Sequence, residues 1–146
     1  MKEKKQRNMN RDEIKNYLPH REPMLLVDEV TMEGDTAVGH YHVRGDEYFL
    51  QGHFPGYPVV PGVILCEIMG QCCCTLMLEE LPGRLTFYAG MDKVRFKNQV
   101  RPGDDITVTG KITAKRGLTF FVDAEAKVDG KLCAKGSLIF MLADKK

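Results

Sequence analysis

With 146 residues, the chain is long enough for one domain with its own core and too short for two. Its 21 basic and 20 acidic residues leave a formal net charge of +1, which does not favour nucleic acid as a partner. Five cysteines without the apolar segment of a signal peptide indicate reduced thiols and a cytoplasmic protein.

The first predicted elements follow a polar lead-in. Residues 1–12 are almost entirely polar, so we expect them to be disordered and residues 13–146 to form a single domain. A short helix is predicted over 11–17, because Pro19 cannot continue it. Two strands joined by a turn come next, and the sequence predicts them over 24–32 and 36–43.

A long helix and a run of strands make up the rest. The helix is predicted over 61–81 and is apolar on nearly every side, so other elements must cover it. Gly70 within it indicates a close neighbour, such as a partner helix. The glycines and polar residues of the helix argue against membrane insertion. Four strands follow, over 85–100, 105–115, 118–128 and 131–142, and Asp129-Gly130 predicts a two-residue hairpin turn between the last two. This order predicts an α+β fold with an antiparallel sheet curled around the helix.

The loop before the long helix carries the first candidate for chemistry, His53. Three prolines within seven residues restrict this loop, so the histidine is held in place. Histidine exchanges a proton near neutral pH, which suits a general acid or base. From the residues alone, a loop histidine that hydrogen-bonds a turn is an equally good interpretation.

Glu67, on the second turn of the helix, is the second candidate. A carboxylate among apolar neighbours is costly unless it is paired or used, although a solvated glutamate is the commoner arrangement. Gln71 lies one turn later on the same face, where it can hydrogen-bond the carboxyl. We expect burial to raise the pKa of Glu67 and to suit it for proton delivery.

Other residues are weaker candidates. Gly62 opens the helix, where its N–H lacks an intrahelical partner and can bind an anionic oxygen, although a turn role is also open. His40 and His42 lie two apart on one strand, but no third metal ligand is apparent, so we expect no metal site. Three consecutive cysteines, 72–74, point in different directions, which favours small buried side chains over metal ligands.

Three blocks occur in order along the chain: LPHREPMLLVD at 18–28, GHFPGYPVVPGVILCEIMGQ at 52–71, and DKVRF at 92–96 with VRPGD at 100–104. Together they resemble the (3R)-3-hydroxyacyl-[acyl-carrier-protein] dehydratases of bacterial fatty acid synthesis, the FabZ type. The resemblance implies the hot-dog fold and a homodimer, with further assembly into a hexamer. It also implies a hydro-lyase that makes trans-2-enoyl-[acyl-carrier-protein]. The acyl carrier protein would be its partner, and no cofactor is needed, since the thioester acidifies C2.

The resemblance also implies roles for individual residues. His53 would remove the C2 proton while the Gly62 N–H binds the thioester oxygen, and the Val59 carbonyl would orient the histidine ring. Glu67 would protonate the leaving hydroxyl, although which of the two titratable residues delivers that proton stays open. Gln71 and Phe87 belong to the substrate-binding set. Phe87 replaces a tyrosine that gates the acyl tunnel in some members. His20 and Arg21 would be structural.

Three alternatives remain at this point. An isomerising dehydratase normally carries aspartate at the position of Glu67. A hot-dog thioesterase would use a carboxylate to drive hydrolysis. An acyl-binding regulator on this fold would be expected to lack the histidine–glutamate pair. A separate hypothesis concerns the basic cluster of Lys93, Arg95, Lys97 and Arg101, which is either a docking surface for an acidic carrier protein or an ordinary solvated strand face.

Overall fold

The computed structural model describes residues 7–145, with Arg7 described by its backbone only. In chain order the elements are β1 (Arg7–Asn10), α1 (Arg11–Ile14), β2 (Glu29–Glu33), β3 (Thr36–His42), α2 (Gly62–Cys73), β4 (Arg84–Phe96), β5 (Asp105–Arg116), β6 (Thr119–Val128) and β7 (Lys131–Asp144), with 3₁₀ turns at Tyr48–Leu50 and Cys74–Met77. All neighbouring strands are antiparallel, in the order β1-β2-β3-β5-β6-β7-β4.

The sheet curves around α2, which contacts β3, β5, β6 and β7. This cover on several sides explains why the helix is apolar almost all round. Cys72 and Cys73 are fully buried where the helix meets the sheet, and a Cβ on Gly39 or Gly110 would collide with their side chains. The five cysteines are free and buried, and for Cys72, Cys73 and Cys74 this burial was predicted. A seven-stranded antiparallel sheet wrapped on one central helix confirms the hot-dog fold.

The N-terminal expectation was partly wrong. Residues 1–6 of the predicted disordered lead-in lie outside the described residues, but Arg7–Asn10 form β1, which pairs with β2. The side chain of Asn10 then accepts a hydrogen bond from the Glu13 N–H at 2.9 Å and caps α1. Met9 and Ile14 are buried in the core. A single buried methionine and a capping box therefore order a segment whose composition is polar.

Four further boundaries differ from the predictions. The helix predicted over 11–17 ends at Ile14. The strand predicted over 24–32 begins only at Glu29, because the backbone of Met24 and Leu26 bonds to the Gln71 side chain instead of a neighbouring strand. The regular helix ends at Cys73 and continues as a 3₁₀ turn. The strand predicted over 85–100 ends at Phe96. The hairpin between β6 and β7 is as predicted, with positive φ of 51° at Asp129 and 77° at Gly130.

Tyr88 of β4 occupies the space beside Gly70. Its hydroxyl donates to the Cys66 carbonyl, and a Cβ at position 70 would collide with the tyrosine ring and hydroxyl. The close neighbour predicted at Gly70 is thus a side chain of the same chain. Between residues 7 and 145, no helix has the length and apolar character needed to cross a bilayer.

Candidate active site

His53 lies in the loop that leads into α2, and the loop fastens its ring. His53 Nδ1 is 3.1 Å from the Val59 carbonyl oxygen, and the Val59 N–H donates to the His53 carbonyl at 3.0 Å. A carbonyl only accepts, so Nδ1 carries the hydrogen of the neutral ring and Nε2 keeps a lone pair. The contact expected between Val59 and His53 is present. It leaves Nε2 able to act as a base.

A cavity of about 590 Å³ opens beside His53. Its walls include Val59, Leu65, Phe96 and Gly62. Apolar atoms dominate these walls, which suits an acyl chain more than a polar ligand. A second cavity, of about 400 Å³, lies among polar residues of the strands and contains neither His53 nor Glu67.

Gly62 is the first residue of α2 and lines this cavity. Pro61 accepts hydrogen bonds from the N–H groups of Ile64 and Leu65, at 2.9 and 3.1 Å. Within the described residues no acceptor is found for the Gly62 N–H, which therefore adds its partial positive charge to that of the helix terminus. An added Cβ would lie only 3.0 Å from the Phe96 ring. Glycine thus allows the ring to cover this turn.

Glu67 lies one turn further along α2 in a different setting. Gln71 Nε2 donates to Glu67 Oε2 at 2.8 Å, which confirms the contact predicted from their spacing. Gln71 is itself fastened, since its Oε1 accepts from the Leu26 N–H and its Nε2 donates to the Met24 carbonyl, both at 2.7 Å. The backbone of Met24 and Leu26 therefore fixes the Gln71 side chain, which in turn fixes Glu67.

The expected rise in the pKa of Glu67 was wrong. Burial does raise the pKa, but hydrogen bonds from His20 and Gln71, together with the charge of a protonated His20, lower it by more. The net pKa lies below the ordinary value for glutamate. The Glu67 side chain also keeps 25% of its surface exposed. At neutral pH it is therefore a carboxylate in the free protein.

His20 is the residue that sequence reasoning missed. Its Nε2 lies 3.4 Å from Glu67 Oε2, although its sequence block suggested only a structural role. Arg21, beside it, does have that role, because its guanidinium donates to the carbonyls of Lys15, Leu18 and His20. The sole signal in the sequence was a histidine in a distinctive block, and nothing in its spacing connects it with α2.

The chain does not bring all the predicted site residues together. His53, Val59 and Gly62 share one cavity, whereas neither Glu67 nor Phe87 lines it. Phe87 lies on β4 opposite Met141 of β7 and is 52% exposed. The other histidine candidates contact β5, with His42 Nδ1 2.6 Å from Asp105 Oδ1. Across residues 7–145, no three side chains form a metal-binding cluster.

Comparisons with known proteins agree with this architecture. The model of the FabA-like domain matches residues 18–137. The 3-hydroxyacyl-[acyl-carrier-protein] dehydratase FabZ of Streptococcus sanguinis is 51% identical over 132 residues, which cover 88% of this chain and 94% of that protein. The dehydratase heterocomplex ApeI:P from Xenorhabdus doucetiae matches with a TM-score of 0.77 at 19% identity, over 90% of this chain and 91% of the other.

A second solved structure shows how widely the fold is used. A mutant of the fluoroacetyl-CoA-specific thioesterase FlK matches with a TM-score of 0.65 at 17% identity, over 77% of this chain and 89% of that one. At such identities the two solved structures show the fold alone. Because a dehydratase and a thioesterase share the fold, the fold does not determine the reaction, which depends on the sequence family and on the residues of the site.

Proposed function

We propose a mechanism from one premise: this chain belongs to the FabA-like domain family and, within it, to the FabZ 3-hydroxyacyl-[acyl-carrier-protein] dehydratases. The protein is a hydro-lyase that dehydrates (3R)-3-hydroxyacyl-[acyl-carrier-protein] in fatty acid biosynthesis. The observation that supports the mechanism is that His53 and Gly62, the proposed base and the first residue of α2, line the same apolar cavity.

The first half of the reaction takes place in this cavity. His53 Nε2 removes the proton from C2 of the substrate. The electron pair of the broken C–H bond moves towards the thioester carbonyl, whose oxygen becomes negative. The Gly62 N–H and the positive end of the α2 dipole stabilise that oxygen. No metal or organic cofactor takes part, because the thioester already makes C2 acidic.

In the second half, Glu67 assists the leaving hydroxyl. The electron pair returns to form the C2=C3 double bond, the C3–O bond breaks, and the hydroxyl leaves as water with a proton from Glu67. A bound acyl chain removes water from the carboxyl, and this desolvation favours its protonated form. The enzyme is reset when His53 releases its proton and Glu67 takes one up. The product is the trans-2-enoyl thioester.

We also propose that each working site is formed by two copies of the chain. Within one copy, Glu67 does not line the cavity that contains His53. Val63, one turn before Glu67 on α2, is 73% exposed, and Phe54 beside His53 is 56% exposed. Such apolar surface calls for a partner. A homodimer that sets the His53 loop of one copy against α2 of the other covers it.

Further assembly into a hexamer, as a trimer of such dimers, is part of the proposal. Three apolar side chains that remain about half exposed near one edge of the sheet support this assembly: Phe87 and Met91 of β4, and Met141 of β7. The cytoplasm is the proposed location, since buried free cysteines suit a reducing compartment. Sedimentation equilibrium of the purified protein tests the assembly.

The acyl carrier protein is the proposed partner that delivers the substrate, and the basic cluster is its docking surface. Lys97 supports this role, because it lines the mouth of the His53 cavity. Arg101 lies 4.1 Å from the centre of the Tyr57 ring, which lies in the His53 loop. Among residues 7–145, none of Lys93, Arg95, Lys97 and Arg101 has an ion pair, so their charges are available to an acidic partner.

One experiment separates the proposed reaction from its alternatives. Purified protein is incubated with 3-hydroxyacyl-[acyl-carrier-protein], and enoyl absorbance, free thiol and product double-bond position are followed together. We expect enoyl absorbance to rise without thiol release and the double bond to stay at C2. Thiol release would indicate a thioesterase, and a product with the bond at C3 an isomerising dehydratase. Binding without turnover would indicate an acyl-binding regulator.

A further inference from the structure

Both polar contacts that the structure describes for the Glu67 carboxyl fall on one of its oxygens. Gln71 Nε2 donates to Oε2 at 2.8 Å, and His20 Nε2 lies 3.4 Å from the same atom. No donor to Oε1 is found in the part of the chain that the structure describes. The carboxyl is therefore held on one side, and its other oxygen is left for a ligand.

The segment that carries His20 is built to keep the ring in this place. Arg21 Nη1 donates to the carbonyls of Leu18 and His20 at 2.8 and 2.7 Å, and Met24 and Leu26 are fastened to Gln71. These bonds secure both sides of His20 without using its ring. The ring is free to serve Glu67 alone.

The burial of the second ring nitrogen of His20 has an energetic cost for the folded protein. His20 Nδ1 is buried and has no hydrogen-bond partner among the described residues. A carboxylate only accepts, so Nε2 must carry the hydrogen that meets Glu67. A buried ring nitrogen without a partner destabilises the folded protein. The contact with Glu67 is the one described interaction that offsets this cost.

The other titratable groups that act on Glu67 bring no positive charge. Cys66 lies next to it on α2, Tyr88 faces it from β4, and Cys74 follows the helix. Burial raises the pKa of all three, that of Cys74 to about 12, so they are neutral near pH 7. Among the described residues, His20 is thus the one basic side chain that acts on the carboxylate.

We propose that His20 is a positioning residue for Glu67: with Gln71 it holds Oε2, turns Oε1 towards the substrate, and stabilises the carboxylate between turnovers. Its kinetic consequence rests on the proposed dehydratase mechanism, whereas its effect on the Glu67 carboxyl does not. The two parts therefore have separate measurements.

The first measurement is the titration of the Glu67 carboxyl by carbon-13 NMR, with the signal assigned through Glu67→Gln. His20→Ala removes a donor and a possible positive charge, so the midpoint should rise by about one pH unit. His20→Gln keeps an N–H donor without the charge, and its midpoint should rise by less. The matched control is His42→Ala, whose ring lies against Asp105, and it should leave the midpoint unchanged.

The second measurement is steady-state kinetics on the same variants. In His20→Ala, kcat should fall about tenfold with KM within twofold, because a carboxyl held on one side alone loses its orientation. His20→Gln should recover most of kcat, which separates positioning from a general loss of structure. Should His20→Ala fail to fold, His20→Gln against wild type carries the test through its smaller midpoint shift.

An unchanged Glu67 midpoint in folded His20→Ala would overturn the contact itself. A shifted midpoint with normal kcat would overturn the role in the reaction. If wild-type protein lacked dehydratase activity, the proposed function would fail, while the titration would still decide whether His20 acts on Glu67.

Discussion

The loop that holds His53 is fastened by its own backbone, whereas Glu67 is fastened by side chains from a distant part of the chain. Around His53, hydrogen bonds link residues six positions apart and an open cavity of about 590 Å³ remains. Around Glu67, His20 and Gln71 occupy one carboxyl oxygen. The first region is open to an incoming ligand and lacks an acid. The second holds the proposed acid, which does not line that cavity.

Within one chain, Glu67 does not line the cavity that contains His53. In the dimer proposed above, a second copy of the chain would supply the acid to that cavity without any change in the fold. The predictions that follow test whether His53 of one copy and Glu67 of another act together as base and acid.

The largest expected effect comes from removing either of the two catalytic groups. His53→Ala removes the base and Glu67→Gln the acid, so each should lower kcat by roughly a hundredfold or more. Circular dichroism should show an intact fold in both variants. Near-normal turnover by either variant would mean that the altered residue is not the proposed base or acid.

Mixing the two inactive variants tests whether one site uses both copies. If His53 and Glu67 of a working site come from different chains, a mixed dimer has one intact site and one site with both lesions. Its activity should reach about half of the wild-type value, as independent sites require. Mass spectrometry is used to confirm subunit exchange. Exchange without recovered activity would place both residues in the same chain.

The sequence predicted the region around His53 better than the region around Glu67. The family resemblance implied the contact between His53 and Val59, and helical spacing predicted that between Glu67 and Gln71. His20 was missed because it reaches α2 through a segment without regular structure. The direction of the shift in the Glu67 pKa was missed for the same reason. The sequence pattern indicated burial, which raises the pKa, but it did not reveal the contribution of His20, which lowers it.

The same limit applies to the fold. A sheet wrapped on one central helix and the Asp129-Gly130 hairpin follow from local patterns, whereas the hot-dog fold was implied by the family resemblance. The neighbour of Gly70 does not, because the choice between a partner helix and Tyr88 depends on where β4 lies relative to α2. Periodicity and turn chemistry reveal which segments form elements, but pairs of residues brought together by tertiary packing carry no such signal.

A smaller effect is expected at the mouth of the His53 cavity. Lys97→Glu reverses a charge at that mouth and should raise KM for the carrier-bound substrate about fivefold. It should also weaken the salt dependence of KM, yet leave KM for a small thioester analogue unchanged. Lys131→Glu, at the first residue of β7, is the matched control and should behave as wild type. Equal effects of Lys97→Glu on both substrates would exclude a docking role.

The smallest effect concerns stability, and it tests whether Glu67 is a well-held carboxylate. Its pKa in the folded protein is lowered, so ionised Glu67 stabilises the fold above its unfolded-state pKa, about 4.3. That contribution is lost as the pH falls through the folded value. Glu67→Gln should therefore be less stable than wild type at pH 7, by less than about 1 kcal/mol because the carboxyl is partly solvated.

Thermal unfolding of wild type and Glu67→Gln from pH 7 to pH 3 measures this contribution. The difference in Tm should be largest at neutral pH and should shrink below about pH 4.5, where the unfolded state also takes up a proton. Glu79→Gln, at an exposed position after α2, is the control and should show no such trend. A Glu67→Gln variant more stable than wild type at pH 7 would show that burial outweighs the bonds from His20 and Gln71. In that case the ionised Glu67 carboxyl would destabilise the folded protein, and its contacts with His20 and Gln71 would not compensate for its burial.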